Sequence, residues 1–334
     1  MLRTLTHPSE RNPDPSVSVL SRTVSGIVAL DKPEGRTSFS IVNEIKRLFD
    51  FRKVGHCGTL DPFATGLFLI CLNRATRIAD QLLELDKVYR FGVRFGLESD
   101  TLDRTGRLAS VYEGPPFSEG DLQRSLDRFR GVCEQQVPRY AAVKVRGRRL
   151  YALSRKGIEI ELPRRNVNIY RIKLLSYDWP DAGIEVNCSK GTYVRQLAAD
   201  IGRDLGCGAY VTELRRLTVG AFSIDRALSF EEFKNAMPTC YWQGTIMSMN
   251  DALAHLPSVS IDPGMTLKRL LDGNLDPALE MNLRERFSRQ TTPVRLVAAL
   301  NNELIALWWP HGVGEKQHRL RVFGSDITDN SHPL

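Results

Sequence analysis

One short segment restricts the local structure of this chain more than any other. It runs from Gly55 to Gly66 and reads GHCGTLDPFATG, with three glycines around a single carboxylate, Asp61. Glycine permits positive φ angles and close backbone approach, while Pro62 fixes its own φ and removes a backbone donor. We therefore expect a loop of one fixed shape that displays Asp61, with His56 close by.

A second interpretation of the same residues is structural. Asp-Pro is common at helix starts, where the carboxylate accepts hydrogen bonds from free backbone N–H groups and proline takes the first helical position. On spacing alone this helix-cap interpretation of Asp61 is the more common one. The rest of the chain has to decide between the two.

Length and composition indicate an ordinary soluble protein. The 334 residues are 42% hydrophobic, enough for at least one large core and, we expect, two domains. No run approaches the roughly twenty apolar residues that span a bilayer, because the longest, 66–72, has only the length of a strand. Residues 1–25 are polar, contain three prolines and lack the apolar centre of a secretory signal, so we expect a disordered extension.

Cysteine and histidine spacing argues against a disulfide framework and against metal chemistry. The six cysteines form no Cys-x-x-Cys pair, and the six histidines include no pair spaced for one helical face. We therefore expect no metal, and a reducing cytoplasm as the location.

Positive charge is concentrated in one part of the chain. The net charge is +7, yet eleven basic residues stand against Glu159 and Glu161 between Arg139 and Lys173, a local balance of +9. Tyr140, Tyr151 and Tyr170 are interleaved with them. This composition suits phosphate neutralisation and base stacking, although a solvated surface is the ordinary interpretation of a charged run.

Hydrophobic periodicity predicts alternating strands and helices. The predicted strands are Ile27–Leu30, Leu67–Leu72, Lys87–Phe95, Val167–Leu175 and Ile184–Cys188, with Tyr89 toward an apolar surface. The predicted helices begin at Thr37 or Ser38, at Arg77, after the Ser118 capping box and near Tyr193. Beyond Asp251 the apolar pattern is short and strand-like, notably at 294–299 and 304–309.

Five motifs in order along residues 26–217 give the chain a family resemblance. Besides the Gly55–Gly66 loop they are Gly26–Pro33 followed by Gly35 and Thr37-Ser38, Asp86–Arg90, Cys188–Arg195 and Leu214–Leu217. Together they resemble the TruB family of tRNA pseudouridine synthases. The resemblance favours the catalytic interpretation of Asp61 over the helix cap.

The resemblance implies conversion of uridine to pseudouridine at position 55 in the T arm of tRNA, without a cofactor. Asp61 would be the essential nucleophile or base, and Arg195 would pair with it and keep it charged. Tyr89 would stack on the target uracil. Tyr193 would line the same pocket, and Leu214 would contact the base from its far side.

Other residues take RNA-binding roles by the same resemblance. His56 would fill the space that the extruded base leaves, so it is assigned to RNA remodelling and not to acid–base catalysis. Lys144 lies in the segment that matches the family's tRNA-gripping insertion. Lys32 and Asp103 would be packing residues or RNA contacts.

The implied architecture is an α+β pseudouridine synthase fold with a central, mainly antiparallel sheet. The catalytic domain would cover 26–250, with a thumb insertion at about 131–165, and a small β-rich, PUA-like RNA-binding domain would cover 251–334. tRNA would be the partner, with no membrane and no required protein partner. The basic insertion favours the stand-alone bacterial type over guide-RNA-dependent relatives.

Two other functions remain open at this point. A non-catalytic protein that binds or folds tRNA would need the same basic segment. A hydrolase that cleaves glycosidic bonds through Asp61 would normally need two carboxylates, and the sequence shows no evident partner for Asp61.

Overall fold

The computed structural model describes residues 21–141, 143–145, 148–150, 161–236, 244–313 and 318–324. The strands are β1 Gly26–Lys32, β2 Val54–His56, β3 Thr65–Leu72, β4 Lys87–Phe95, β5 Leu97–Ser99, β6 Leu108–Ser110, β7 Gly131–Gln136, β8 Lys144–Val145, β9 Arg148–Arg149, β10 Arg164–Asp178, β11 Asp181–Cys188, β12 Ala209–Val219, β13 Phe222–Ser223, β14 Leu228–Ser229, β15 Ser258–Ile261, β16 Val294–Ala298, β17 Leu304–Val313 and β18 His318–Val322.

The helices are α1 Ser38–Phe49, α2 Ala79–Leu83, α3 Glu119–Arg128, α4 Val194–Asp204, α5 Phe230–Ala236, α6 Met249–Ala252, α7 Met265–Leu271 and α8 Pro277–Arg286. Short 3₁₀ segments cover Asn73–Ile78 and Ile224–Arg226. In the described part of the chain, no helix combines the length and the apolar character that a membrane crossing demands.

A ten-stranded mixed sheet forms the framework, in the order β14-β1-β3-β12-β4-β11-β10-β7, with β13 beside β12 and β2 beside β3. The pairs β14/β1 and β3/β12 are parallel, whereas the pairs from β12 to β7 are antiparallel. This confirms the predicted fold class. Strand β12 lies between β4 and β3, the strand that follows the Gly55–Gly66 loop. It therefore connects the two parts of the ten-stranded sheet.

The period of two in β4 explains how the sheet buries one face. Phe91, Val93 and Phe95 are each 1% exposed, and they share a core with residues of α3 and α4 such as Leu126 and Leu197. Because alternating side chains point to opposite faces of a strand, Phe91, Val93 and Phe95 share the face that joins this core. The predicted strand at 87–95 is confirmed.

Most of the other predicted elements are confirmed, one strand was missed, and the strand-like interpretation of the tail needs correction. Strand β12 was not predicted, because Glu213, Arg215 and Arg216 interrupt its apolar alternation. The tail contains α7 and α8 besides its strands. Asn73 Nδ2 donates to the carbonyls of Ser21 and Val24 at 2.7 and 2.6 Å, while residues 1–20 lie outside the described residues, so the disordered extension over 1–25 stays a prediction.

The C-terminal part is β-rich and packs directly on the ten-stranded sheet. Strands β15 to β18 form a separate four-stranded sheet. Leu304, Leu307 and Trp309 of β17 share one hydrophobic cluster with Leu67 and Leu69 of β3. Arg321 also forms an ion pair with Asp80, at 2.9 Å. The predicted division at 250/251 therefore crosses a continuous hydrophobic contact, and the domain boundaries remain a prediction.

Candidate active site

The Gly55–Gly66 loop leads from β2 into β3, and neighbouring elements hold it from two sides. Ser38, at the start of α1, uses its hydroxyl both to donate to Leu60 O and to accept from Leu60 N, each at 3.0 Å. Gly35 N donates to Pro62 O at 2.8 Å. Asp61 is therefore fixed between two anchored neighbours.

Asp61 does not begin a helix. Residues 62 and 63 form a turn, closed by a bond from Ala64 N to Asp61 O at 3.1 Å, and the chain then enters β3. Gly66 adopts a φ of 99°, and a Cβ on it would overlap the backbone of Arg216. The structure thus excludes the helix-cap interpretation and leaves the Asp61 side chain 31% exposed.

Arg195 in the first turn of α4 pairs with this carboxylate through two contacts. Its Nε lies 2.8 Å from Asp61 Oδ2, and its Nη2 lies 3.2 Å from Oδ1. Two parallel N–H···O bonds of this kind fix both the distance and the orientation of the carboxylate. The guanidinium is only 5% exposed, so the pair opens to solvent on the Asp61 side.

The same guanidinium also binds Asp103 and two backbone carbonyls. Nη1 donates to Thr101 O at 2.9 Å and lies 3.5 Å from Asp103 Oδ2, and Nη2 donates to Tyr140 O at 3.2 Å. Asp103 is 4% exposed and accepts three further bonds from neighbouring threonines. Asp103 is thus a buried carboxylate that holds Arg195, whereas the sequence suggested only packing or an RNA contact.

Opposing effects act on the ionisation of Asp61. Burial raises the pKa of Asp61 above its ordinary value, Arg195 opposes that rise, and the charge of Asp103 adds to it. The family resemblance likewise implies that Arg195 keeps Asp61 charged. The cationic neighbours of Asp61 therefore favour its charged form against the effect of burial.

Tyr89 and Leu214 lie on adjacent central strands, and Tyr89 interacts electrostatically with Asp61. Tyr89 is half-buried on β4. Burial raises the pKa of its hydroxyl, the charge of Arg216 opposes that rise, and the charge of Asp61 adds to it. Leu214 of β12 pairs with Phe91 of β4 and is 7% exposed. An aromatic and an apolar side chain therefore share one face of two adjacent strands.

Tyr193 is the N-terminal cap residue of α4, two positions before Arg195. Gln135 holds its backbone on both sides, accepting from Tyr193 N at 2.7 Å and donating to Tyr193 O at 3.1 Å. The guanidinium of Arg165 lies 5.1 Å from the centre of the tyrosine ring. Gln135 therefore fixes the backbone of Tyr193, and Arg165 contacts its ring, next to the Arg195–Asp61 ion pair.

His56 ends β2, at the start of the loop. Its ring lies 5.3 Å from that of Phe68, and its Nδ1 is buried without a hydrogen-bond partner among the described residues. Burial lowers the pKa of His56, and the charge of Arg216 lowers it further. The imidazole is therefore neutral at pH 7.

The structure describes the side chain of only one of the two lysines predicted as RNA contacts, Lys32. Lys32 has no exposed surface, and its ammonium donates to Pro33 O, Pro62 O and Ala64 O at 2.9, 3.2 and 2.6 Å. It ties its own strand end to the backbone that follows Asp61, so its placement does not suit an RNA contact. Lys144 begins the short strand β8, and its side chain lies outside the described residues.

Two further buried cations were not selected from the sequence. Lys87 donates to the carbonyls of Leu83, at 2.6 Å, and of Leu85, and Arg216 donates to backbone carbonyls of the loop region. Burial lowers the pKa of Lys32 and of Lys87 to about 8. Lys87 lies within the Asp86–Arg90 motif and Arg216 within the Leu214–Leu217 motif. Nothing in the sequence indicated that Arg216 is buried, because strand β12 was not predicted.

Among the described residues, no three His, Cys, Asp or Glu side chains come together in a way that could hold a metal ion. What the arrangement offers is an oriented, partly exposed carboxylate beside aromatic and apolar side chains. Such a group can act as a nucleophile or as a base toward a flat ring.

Comparison with family models matches two adjoining segments of the chain. Residues 46–194 match the model of the TruB family pseudouridylate synthase N-terminal domain, and residues 195–254 match that of the tRNA pseudouridylate synthase B C-terminal domain. Asp61 and Tyr89 fall in the first segment, and Arg195 and Leu214 in the second. The ion pair therefore joins the two matched segments.

Curated relatives resemble the chain over most of its length. The tRNA pseudouridine synthase B of Syntrophobacter fumaroxidans is 53% identical over 299 residues, which cover 90% of this chain and 97% of that protein. Its counterpart in Syntrophus aciditrophicus is 40% identical over 250 residues, covering 75% and 80%.

Solved structures share the fold at low sequence identity. A chain in the crystal structure of a Cbf5-Nop10-Gar1 complex superposes with a TM-score of 0.64 at 22% identity, covering 92% of this chain and 85% of that one. A chain of an H/ACA RNP bound to a substrate RNA containing 2′-deoxyuridine gives 0.63 at 22% identity, covering 89% and 83%. At this identity the likeness concerns the fold alone.

Proposed function

The chain belongs to the TruB family of pseudouridylate synthases, and from this premise we propose that it converts uridine to pseudouridine at position 55 in the T arm of tRNA. In this isomerisation the C1′–N1 bond of the nucleotide breaks and a C1′–C5 bond forms. C5 loses its proton and N1 gains one. Atoms and electrons balance within the substrate, so we propose a reaction without a cofactor.

The observation that carries this proposal is the two-contact ion pair between Arg195 and Asp61. A carboxylate in a water-poor pocket is a useful nucleophile or base only while it stays ionised. Arg195 opposes the effect of burial on the Asp61 carboxylate and fixes its orientation. We assign Asp61 the essential role as nucleophile or base and Arg195 the role of its positioning partner.

The other site residues would hold the uracil. Tyr89 is half-buried beside Asp61 and would stack on the base. Leu214, on the adjacent strand, would contact the base from its far side, and Tyr193 would line the pocket next to Arg195. Stacking on an aromatic side chain is worth about 1–3 kcal/mol per base and needs no particular base edge. A base that turns during the reaction can keep such contacts.

His56 would take part in opening the RNA. Extrusion of a stacked base costs a few kcal/mol, which the protein has to offset. A neutral imidazole beside the catalytic loop suits insertion into the vacated space better than proton transfer, and its lowered pKa is consistent with that role.

The basic segment between Arg139 and Lys173 supports tRNA as the partner, with Lys144 in the thumb insertion as a proposed contact. Phosphate neutralisation by such a segment makes binding salt-dependent. We propose a catalytic domain over 26–250 and a PUA-like RNA-binding domain over 251–334. We propose that no protein partner is required.

The test compares the wild-type protein with Asp61→Asn on an unmodified T-arm transcript. Pseudouridine is mapped with carbodiimide, and RNA binding is measured by filter retention. Asp262→Asn, an exposed aspartate in the C-terminal part, is the matched control. A transcript with cytidine at position 55 is the substrate control.

We expect the wild type and Asp262→Asn to form pseudouridine at position 55, Asp61→Asn to form none, and all three to bind the RNA. Product with Asp61→Asn would overturn the role of the carboxylate. Binding without product in the wild type would favour a tRNA-folding protein or another target site.

A further inference from the structure

Arg165 is the second residue of β10, and its guanidinium lies over the aromatic ring of Tyr193. The guanidinium carbon is 5.1 Å from the centre of the ring. A Cβ on Gly191, whose φ is 79°, would lie 3.1 Å from Arg165 Nη1. Arg165 therefore occupies the space beside the short segment 191–193 that leads into α4.

Strand pairing brings Arg165 to this place. It lies opposite Gln135 of β7, and the Gln135 side chain bonds Tyr193 N and Tyr193 O at 2.7 and 3.1 Å. Directly paired residues project from the same face of a sheet, so Gln135 holds the backbone of Tyr193 while Arg165 covers its ring. Tyr193 is two positions before Arg195, the partner of Asp61. Arg165 thus lies at the edge of the candidate active site.

Arg165 and its neighbour Arg164 have different surroundings. Arg164 projects from the opposite face, where its Nη1 lies 2.8 Å from Glu134 Oε2. Arg165 forms no ion pair with a carboxylate in the part of the chain that the structure describes. Arg165 is half-buried, and Gly191 beside it is exposed. Its charge is therefore held at the mouth of the site without a carboxylate that neutralises it.

The contact with Tyr193 leaves the guanidinium able to bind an anion. A cation over an aromatic ring is attracted through the face of the ring and does not use its N–H donors for that contact. The donors of a guanidinium form a fork that matches a phosphate group. A side chain already held over a ring also loses less conformational freedom on binding than a free surface arginine does.

The mouth of this site needs a cation for an RNA substrate. When a base enters a pocket beside Asp61, the two phosphates that flank its nucleotide come near a carboxylate that is 31% exposed, and like charges repel. Arg195 cannot serve both groups, because it is 5% exposed and bound to Asp61, Thr101 O and Tyr140 O. Arg165 is half-buried, carries no ion pair among the described residues and lies next to Tyr193.

We propose that Arg165 is a phosphate-binding residue of the active site, which takes one of the two phosphodiester groups that flank the target uridine. The inference rests on the proposed function and deepens it, because it says how the backbone of the nucleotide is held while the base enters the pocket. Tyr193 then has a second role, since its ring keeps the guanidinium in place.

The experiment measures binding of the T-arm transcript by filter retention between about 50 and 200 mM salt. The proteins are the wild type, Arg165→Gln and Arg164→Gln. The unmodified transcript is compared with two others, in which the phosphate on the 5′ or the 3′ side of position 55 is an uncharged methylphosphonate. Arg94→Gln, on an exposed ion pair of β4, is the control that should keep the wild-type affinity. Pseudouridine formation is followed on the unmodified transcript.

We expect Arg165→Gln to lose about tenfold in affinity for the unmodified transcript. The slope of log affinity against log salt should fall by about one, the contribution of one phosphate contact. One of the two methylphosphonate transcripts should bind the wild type about tenfold more weakly, and it should bind Arg165→Gln no more weakly than the wild type. Arg164→Gln should lose less than Arg165→Gln, because Glu134 already offsets its charge.

Several results would overturn the inference. A wild type that binds both methylphosphonate transcripts as tightly as the unmodified one is the first, and this arm does not depend on the folding of a variant. Equal losses in Arg164→Gln and Arg165→Gln would mean that the charge acts without a specific place. A lower rate of Arg165→Gln with an unchanged salt slope would mean that Arg165 only supports the ring of Tyr193.

Failure of the proposed function gives a different result. A wild type that makes no pseudouridine overturns the proposed function, and with it the assignment of the phosphate to a target uridine. A wild type that is active, combined with any of the three results above, overturns only the role of Arg165.

Discussion

Arg195 Nε lies 2.8 Å from Asp61 Oδ2 although 134 positions separate the two residues. The first turn of α4 and the loop before β3 meet there, across a sheet whose strands come from distant parts of the chain. Three more bonds, to Thr101 O, Asp103 and Tyr140 O, hold the guanidinium in place. Several contacts therefore fix the position of the guanidinium. We expect substitutions around it to lower the rate of the reaction and to leave RNA binding unchanged.

Arg195→Lys should abolish most of the activity and leave RNA binding intact. A lysine carries one ammonium and cannot make two contacts with Asp61 while it also reaches Asp103 and two carbonyls. We expect the single-turnover rate to fall by about a hundredfold or more, as for other losses of alignment. The measurement is pseudouridine formation on the T-arm transcript with enzyme in excess.

The control for this variant is Arg203→Lys on the same helix. Its side chain is 69% exposed and pairs with Asp200. Its rate should stay within about twofold of the wild type, because exposed ion pairs contribute little. Equal losses in both variants would indicate damage to α4 and not to the pair.

Asp103→Asn should move the acid limb of the pH–rate profile to lower pH. Asp61 must be ionised to act, so the rate falls as the pH falls through the raised pKa of Asp61. The charge of Asp103 contributes to that elevation, and its removal lets Asp61 ionise at lower pH. We also expect a lower plateau, because Arg195 loses one anchor.

The measurement is the single-turnover rate between about pH 4.5 and 8 for the wild type and Asp103→Asn, spanning the ordinary carboxyl range and above. An acid limb that moves to higher pH would contradict the assigned electrostatics. Asp204→Asn, which changes a carboxylate at the far end of α4, should leave the limb where it is.

Strand alternation and capping boxes reveal much of this fold, because both are local. The period of two at 87–95 and the Ser118 capping box predict their elements directly. Strand β12 escapes prediction because charged residues interrupt its apolar alternation, and one of them, Arg216, is buried against carbonyls, which no local pattern expresses. The contact between Asp103 and Arg195 was not predicted for another reason. Hydrophobic periodicity predicts strands and helices but not which loops come together.

Lys32→Met should destabilise the fold by about 1–3 kcal/mol, the range for loss of charge-assisted hydrogen bonds. The ammonium holds three carbonyls around the catalytic loop, and methionine leaves them without donors. Urea unfolding at pH 7 measures the change. Lys46→Met on the exposed side of α1 should be neutral by comparison.

The effect of Lys32→Met should also grow with pH. Burial lowers the pKa of Lys32 from 10.5 to about 8. Between those values the unfolded chain keeps a proton that the folded chain has released, so this residue makes the wild type more stable as the pH rises. The difference in unfolding free energy between wild type and variant should therefore be larger at about pH 9.5 than at pH 7; a smaller difference would contradict the direction of the shift.

Leu307→Ala should weaken the catalytic sheet as well as the C-terminal part. Leu307 is fully buried in β17, within the cluster that also contains Leu67 and Leu69 of β3 and Cys57 of the catalytic loop. Truncation of a buried leucine costs about 2–5 kcal/mol through lost burial and the cavity that remains. Because the cavity borders both sheets, native-state hydrogen exchange should show faster exchange in peptides covering β3 and in those covering β17.

Leu300→Ala, at a side chain that is 73% exposed, should change neither. Faster exchange in β17 with β3 unaffected would contradict this prediction. The C-terminal part would then open independently, as expected of a separate PUA-like domain whose contact does not stabilise β3.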